Sequence, residues 1–278
     1  MFKLLISLII VMISQISYAD LITKTTLPGQ VQKISFEKPK NFLPVKVICG
    51  KDQLLFFEKN DHYHFFFAAS YFSKPGIKIL CKAQDLKNKN ELLLAQFTVK
   101  EGKFDEEILH VNQKTVVISK SNLKKIAIER EALNKIYASA EKTQLFNHQF
   151  IRPLTSFITS NYGSRRLFND QKKTQHLGTD FRAPIGEKII ASNTGKVVLA
   201  SELFFTGFTV ILDHGLGIFS VYAHLSELLV KKGQIVESGD ILGKSGNTGR
   251  VSGPHLHWGV KMNNQWVDGI SMIEATAE

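Results

Sequence analysis

Residues 208–225 read FTVILDHGLGIFSVYAHL. Residues 208–213 and 217–224 are apolar, β-branched runs, and Asp213-His214-Gly215 between them is turn material. Runs of this length, bounded by Gly and Asp, read as strands rather than helices. The same texture extends outward on both sides. Stretches 188–191, 195–200, 233–238, 240–244 and 257–262 are further short strand candidates, separated by glycine-rich turns. No amphipathic helix of any length is expected here, so residues 150–278 read as an all-β domain of paired sheets.

Upstream the pattern changes twice. In residues 121–142, Leu123, Ile126, Leu133, Ile136 and Tyr137 recur at helical spacing, with Ser121 or Asn122 as N-cap. Residues 101–149 are therefore read as a connector with one helix. Before it, stretches 45–49, 54–57, 63–67, 77–81 and 92–99 are short strand candidates with turn signals between them. Residues 20–100 are expected to form a small β-sandwich-like domain, and the fold class is mainly β. His62 and His64 share one strand face there and are read as a half-exposed face rather than a metal site. Cys49 and Cys81 have no Cys-x-x-Cys spacing. In an oxidising compartment they are expected to pair as a disulfide.

The compartment is suggested by the N-terminus. Lys3 is followed by an apolar run from Leu4 to Ile13 and by Ser17-Tyr18-Ala19, a small-x-small cleavage site. Residues 1–19 thus read as a secretory signal peptide, with no stable membrane insertion after its removal. The formal net charge of +10 favours acidic partners. Export to the periplasm removes nucleic acid from that list and leaves anionic lipid or wall polymer.

Four segments of the C-terminal domain carry chemistry. In His176-Leu177-Gly178-Thr179-Asp180 an extended chain would send His176, Gly178 and Asp180 to one side, and Gly178 would leave room between imidazole and carboxylate. His224 lies in Val221-Tyr222-Ala223-His224-Leu225, and Gly253-Pro254-His255-Leu256-His257 places two histidines on one face. Ser245-Gly246-Asn247-Thr248-Gly249 is a turn that would bring the third segment back to the first. Two histidines, a carboxylate and one position left for water make a catalytic zinc set, and the absence of thiolate fits zinc over softer metals. On geometry alone His255 and His257 could both bind, which would give a closed, structural site.

These motifs, together with Ser160-Asn161-Tyr162-Gly163-Ser164-Arg165, Asp213-His214-Gly215, Tyr222-Ala223-His224-Leu225-Ser226 and Gly246-Asn247-Thr248-Gly249, make residues 157–273 closely resemble the lysostaphin-type zinc peptidases. That family cleaves the peptide part of bacterial peptidoglycan. The resemblance implies one Zn2+ per chain held by His176, Asp180 and His257, with His224 and His255 as catalytic histidines. It also implies that peptidoglycan peptide stems are the partner, with the D-alanyl–diaminopimelate cross-link favoured by likeness to Gram-negative periplasmic members. Trp258, Ser252 and Gly269 depart from common family residues and touch no implied ligand.

No His-Glu-x-x-His motif supplies a glutamate base, so proton transfer falls to a histidine. The sequence leaves open which of His224 and His255 serves the water and which the oxyanion or leaving group. An alternative is a catalytically inactive wall-binding activator, which would not hold zinc. A lipoyl-type carrier is disfavoured because no lysine sits at an exposed hairpin tip. Arg165 is read either as a contact for a substrate carboxylate or as half of a structural ion pair, and His214 as a turn residue. The N-terminal domain and the 121–142 helix are expected to cover part of the cleft.

Overall fold

The computed structural model describes residues 16–38, 45–87, 89–110, 118–170 and 172–277. Residues 1–15, most of the expected signal peptide, lie outside the described residues. Two sheets build the N-terminal part. A five-stranded sheet runs, in spatial order, Ile16–Thr26, Glu91–Val99, Lys78–Asp85, Val45–Cys49 and Asp52–Leu54. A three-stranded sheet holds Val31–Glu37, His62–Ala68 and Phe56–Lys59. Between them Ile34, Phe65 and Phe67 pack on Val47, Cys81 and Phe97, with the Phe67 and Phe97 rings stacked at 4.4 Å.

The run Phe65-Phe66-Phe67 is buried throughout because both faces of its strand are covered. Side chains alternate along a strand, so Phe65 and Phe67 enter this core while Phe66 joins Val31 and Ala68 in the C-terminal core. Cys49 and Cys81 stand opposite each other in the antiparallel pair and are disulfide-bonded. The first strand pairs in parallel with Glu91–Val99, and its register breaks between Tyr18 and Ile22. A chain beginning at Asp20 would keep every pair from Ile22–Ala95 onward.

The connector holds more than the expected helix. Glu106–Leu109 is a strand that pairs in parallel with Arg165–Phe168, which in turn pairs with Lys172–Gln175. The helix is Lys120–Ala138, and its N-cap is Ser119, not Ser121 or Asn122; the Ser119 hydroxyl accepts the Asn122 N–H at 3.3 Å. Leu133, Ile136 and Tyr137 rest on Ile211, Phe219 and Val221, and the Glu129 carboxylate accepts the Phe204 N–H. No described helix is long and apolar enough to cross a membrane.

The C-terminal part is a ten-stranded sheet. Its main path is Ile158–Ser160, Thr179–Arg182, His255–Met262, Ile218–Leu228, Gly207–Asp213, Gly195–Leu203 and Ile235–Val236. Lys188–Ile190 and Ile241–Ser245 pair with each other, and Gln265–Val267 pairs with His255–Met262. Phe181, Val210, Leu212, Tyr222, Trp258 and Val260 form the centre of its core. The expected 233–238 strand shrinks to Ile235–Val236, because turns closed by Gln234 N–H to Lys231 O and Asp240 N–H to Glu237 O take its ends. The domain is all-β as expected, apart from one short helix at its end. Gly269–Thr276 is a helix, N-capped by Asp268, whose carboxylate accepts the Ile270 N–H at 3.0 Å. Its Ser271 hydroxyl accepts the Val31 N–H, which ties the two parts of the chain together.

Candidate metal centre

Three adjacent strands deliver the site. Thr179–Arg182 pairs antiparallel with His255–Met262, which pairs antiparallel with Ile218–Leu228. Asp180 and Ala223 both stand opposite His257, and Arg182 stands opposite His255. Residues opposed across strands share a face, so Asp180, His255 and His257 point the same way. His176 comes from the turn before Thr179. The space above Gly178 is filled by a ring: a side chain there would meet His257 Cε1 at 2.4 Å.

His176 Nε2, Asp180 Oδ1 and His257 Nδ1 form a triangle. The edges are 3.0 Å from His176 to Asp180, 3.0 Å from His176 to His257 and 2.9 Å from His257 to Asp180. His176 Nδ1–H donates to the Asn161 carbonyl at 3.0 Å, which leaves Nε2 with its lone pair facing the triangle. Lone pairs and a carboxylate oxygen this close repel one another unless a proton or a metal ion shares the space. A tetrahedral ion with bonds of about 2.0–2.1 Å needs ligand edges of about 3.3 Å. The three residues therefore fit a small divalent ion after an outward shift of a few tenths of an ångström.

The surroundings are buried and polarised. Burial by itself raises the Asp180 carboxyl, but His176 and His257 outweigh it through charge and hydrogen bonds and hold it well below the usual carboxylate range. Burial lowers His257, against the upward pull of Asp180. The outer oxygen, Asp180 Oδ2, accepts from Arg166 Nη2 at 2.5 Å. Arg166 also donates to Glu107 and to Ser160 Oγ, and the Ser160 hydroxyl donates to Glu107. Glu107, from the connector strand, is therefore a member of this network. Neither Arg166 nor Glu107 was anticipated from the sequence. Their places depend on the parallel pairing of Glu106–Leu109 with Arg165–Phe168, which no local pattern announces.

His224 and His255 line the same cleft, a cavity of about 490 Å³ that also holds Asp180. Their rings lie 4.8 Å apart between centroids, and the His224 ring is 6.0 Å from that of His257. Regular alternation would send His224 to the face opposite Ala223, away from His257. It does not, because His224 has φ +62°, in the left-handed region that costs a non-glycine residue about 1–3 kcal/mol. Its N–H donates to Thr206 O and its Nδ1–H to Thr248 O at 2.8 Å. His255 Nδ1–H donates to Gly253 O at 2.8 Å. In the neutral form of each ring the proton thus sits on Nδ1, which leaves Nε2 as the acceptor nitrogen. Burial first, then the neighbouring His255 and His257, pushes His224 down to about 3, so it is neutral at pH 7.

Other residues singled out in the sequence sit elsewhere. Arg165 is exposed and lies 3.6 Å from Glu106. His62 and His64 are half-buried, with His64 Nδ1 2.6 Å from Ser35 Oγ. His214 stands at the expected turn between two paired strands. It is fully buried, donates to Thr194 O at 2.7 Å and lies 2.7 Å from Ser220 Oγ, and burial lowers it to about 4. The part of the connector that lines the cleft is Glu107, Ile108 and Leu109, while the Lys120–Ala138 helix packs against Ile211, Phe219 and Val221.

Comparison with known proteins agrees on the C-terminal half. Residues 174–269 match Peptidase family M23. The chain is 47% identical over 102 residues to the peptidoglycan DD-endopeptidase ShyA of Vibrio cholerae, covering 36% of this chain and 24% of that one. It is 36% identical over 103 residues to the DD-carboxypeptidase/endopeptidase Mpg of Neisseria meningitidis, covering 37% and 24%. The matched stretch thus spans about a quarter of each relative's length. Likeness to one solved structure extends over nearly the whole chain. A Pseudomonas aeruginosa protein provisionally described as a peptidase M23 shares 28% identity and a TM-score of 0.69, covering 90% of this chain and 95% of that one.

Proposed function

We propose that this chain, whose residues 174–269 form a peptidase family M23 domain, is an exported zinc metalloendopeptidase that hydrolyses peptide cross-links of bacterial peptidoglycan. The D-alanyl–diaminopimelate bond is the expected target and the periplasm the expected compartment, with residues 1–19 removed after Ala19. The observation that carries the reading is the triangle of His176 Nε2, Asp180 Oδ1 and His257 Nδ1, with two further imidazoles turned into the same cleft. His176, Asp180 and His257 would hold one Zn2+, and the ion when bound supplies Lewis-acid activation of water and of the scissile carbonyl.

The remaining steps belong to the chain. His224 and His255 are each oriented by a backbone carbonyl at Nδ1, which in the neutral ring leaves Nε2 to face the cleft as acceptor. One accepts the proton of the attacking water and returns it to the leaving amine. The other, when protonated, faces the developing oxyanion. Arg166 holds the outer oxygen of Asp180, so that Oδ1 stays aimed at the triangle. Glu107, Ile108 and Leu109 narrow one wall of the cleft from the N-terminal side, which supports restricted access in the full chain.

Digestion of purified cross-linked muropeptides by the mature protein, read by mass spectrometry, tests the reading. Monomeric tetrapeptides that appear with zinc and vanish with a chelator are expected. Release of terminal D-alanine alone would make the enzyme a carboxypeptidase. Intact dimers at one zinc per chain would refute the peptidase assignment.

A further inference from the structure

The cleft contains a cation that the chemistry above does not use. Arg250 follows the turn Gly246-Asn247-Thr248-Gly249 and lines the cleft together with His224. Its guanidinium is clamped between two aromatic rings, with Cζ 4.5 Å from the Phe168 centroid and 4.5 Å from the Phe205 centroid. The backbone holds it as firmly. Arg250 N–H donates to Phe205 O at 2.8 Å, and a side chain at Gly249 would collide with Gly207 N at 2.4 Å. Thr248, two residues earlier, orients His224 through its carbonyl. One short loop therefore sets both the imidazole and the guanidinium.

The charge of Arg250 is unanswered. Its Nη1 is buried without a hydrogen-bond partner, and no carboxylate among the described residues pairs with it. The neighbouring arginines differ. Arg166 is committed to Glu107 and Asp180, Arg165 is exposed beside Glu106, and Arg182 is exposed over the Phe157 ring. A half-buried cation with one nitrogen shut off from water and no counter-ion is costly. Clamping by two π faces offsets part of that cost and leaves the guanidinium rigid, which is the preparation that planar, charge-assisted recognition of a carboxylate requires.

We propose that Arg250 is a specificity residue that binds a free carboxylate of the peptide substrate, the one on the carbon that bears the scissile nitrogen. The proposal rests on the peptidase reading of the site. In a cross-link between D-alanine and a diamino acid with a carboxylate at each end, that group lies two bonds from the leaving nitrogen. Its recognition must therefore take place beside the proton-transfer histidines, where Arg250 is the arginine with a buried, unpartnered nitrogen, whereas Arg182 is exposed to water. The enzyme should in consequence discriminate against cross-links in which this carboxylate is amidated.

The test uses the zinc-loaded mature protein and two synthetic cross-linked peptide dimers, one with that carboxylate free and one with it amidated. Wild type should cleave the free form with kcat/KM about 10- to 100-fold higher, mostly through KM. Arg250→Gln should lose that factor on the free form, leave the amidated form nearly unchanged and keep its zinc. Arg250→Lys, which retains the charge without the fork, should keep the preference in weakened form. Equal cleavage of the two dimers by wild type would overturn the proposal while leaving the peptidase reading intact. So would a loss in Arg250→Gln of the same size on both dimers, which would mark Arg250 as a structural rivet between Phe168 and Phe205. Failure of wild type to cleave either dimer would remove the peptidase reading itself, and the proposal with it.

Discussion

The two β parts of the molecule bury different things. Among the described residues, Thr26 and Asp85 are the buried polar or charged residues before residue 100, whereas sixteen lie beyond residue 150. The N-terminal sheets close on Ile34, Val47, Phe65, Phe67 and Phe97, with a disulfide across neighbouring strands. The C-terminal sheet encloses His176, Asp180, His214 and His224, each held by named hydrogen bonds. An apolar core is stabilised by area removed from water and tolerates approximate fits. A buried polar set is stable only when each member is satisfied. One part should therefore respond to substitution mainly in stability, and the other mainly in chemistry.

The largest effect that would break this contrast is expected at His224. His224→Ala should keep about one zinc per chain and lose about 10²–10⁴-fold in turnover, as expected for a histidine that transfers the proton or faces the oxyanion. A zinc assay and kcat on the same sample decide it; a drop in stability without a drop in kcat would dissolve the distinction. On the other side, replacing Cys49 and Cys81 together by serine should lower unfolding free energy by roughly 3–4 kcal/mol in the chain-entropy account. Below its new melting point that variant should turn over at the wild-type rate. A changed kcat would show that the N-terminal sheets shape the cleft.

A third test sharpens the contrast through pH. His214 falls from 6.5 to about 4 on folding, because burial disfavours its charged form. Between those values the unfolded chain binds a proton that the folded chain does not, so stability is complete above about pH 6.5 and drains as pH falls toward 4. The shift corresponds to about 3 kcal/mol. Urea unfolding of the metal-free protein at pH 7 and pH 4, with NMR titration of the His214 ring, checks it. A ring that titrates near 6.5 in the folded state would remove this contribution. The smallest effect is expected outside both cores: Ser119→Ala should cost about 1 kcal/mol through the lost N-cap of the connector helix, with kcat unmoved.

Much of this contrast could be read from residue patterns, and the exceptions share a cause. Short apolar runs bounded by Gly, Asn and Asp mark the strands of both parts, because alternation and turn chemistry are local. The pairing of Cys49 with Cys81 followed from compartment and count. The triangle residues and the two cleft histidines stand on segments that the motifs had already picked out, and the structure gathers all five in one place. Glu106–Leu109 was missed because two glutamates disguise a strand whose partner among the described residues lies more than fifty residues away. Gly269–Thr276 was missed because two helical turns carry little periodicity, although Asp268 is a legible cap. His214 stands at the turn that Asp-His-Gly marks, but its burial was not legible, because the turn is covered by Thr143 and Leu145 of the connector. Arg166 and Arg250 acquire meaning only from neighbours that are distant in sequence.

The central claim is that three side chains hold the metal while two others serve proton transfer and the oxyanion. Zinc content and turnover, measured together on His257→Ala and His255→Ala, test it most directly. The account predicts that His257→Ala loses metal and activity together, and that His255→Ala retains about one equivalent of zinc with turnover lower by about 10²–10⁴-fold. Metal-free His255→Ala protein, or His257→Ala protein that still holds a full equivalent, would contradict it.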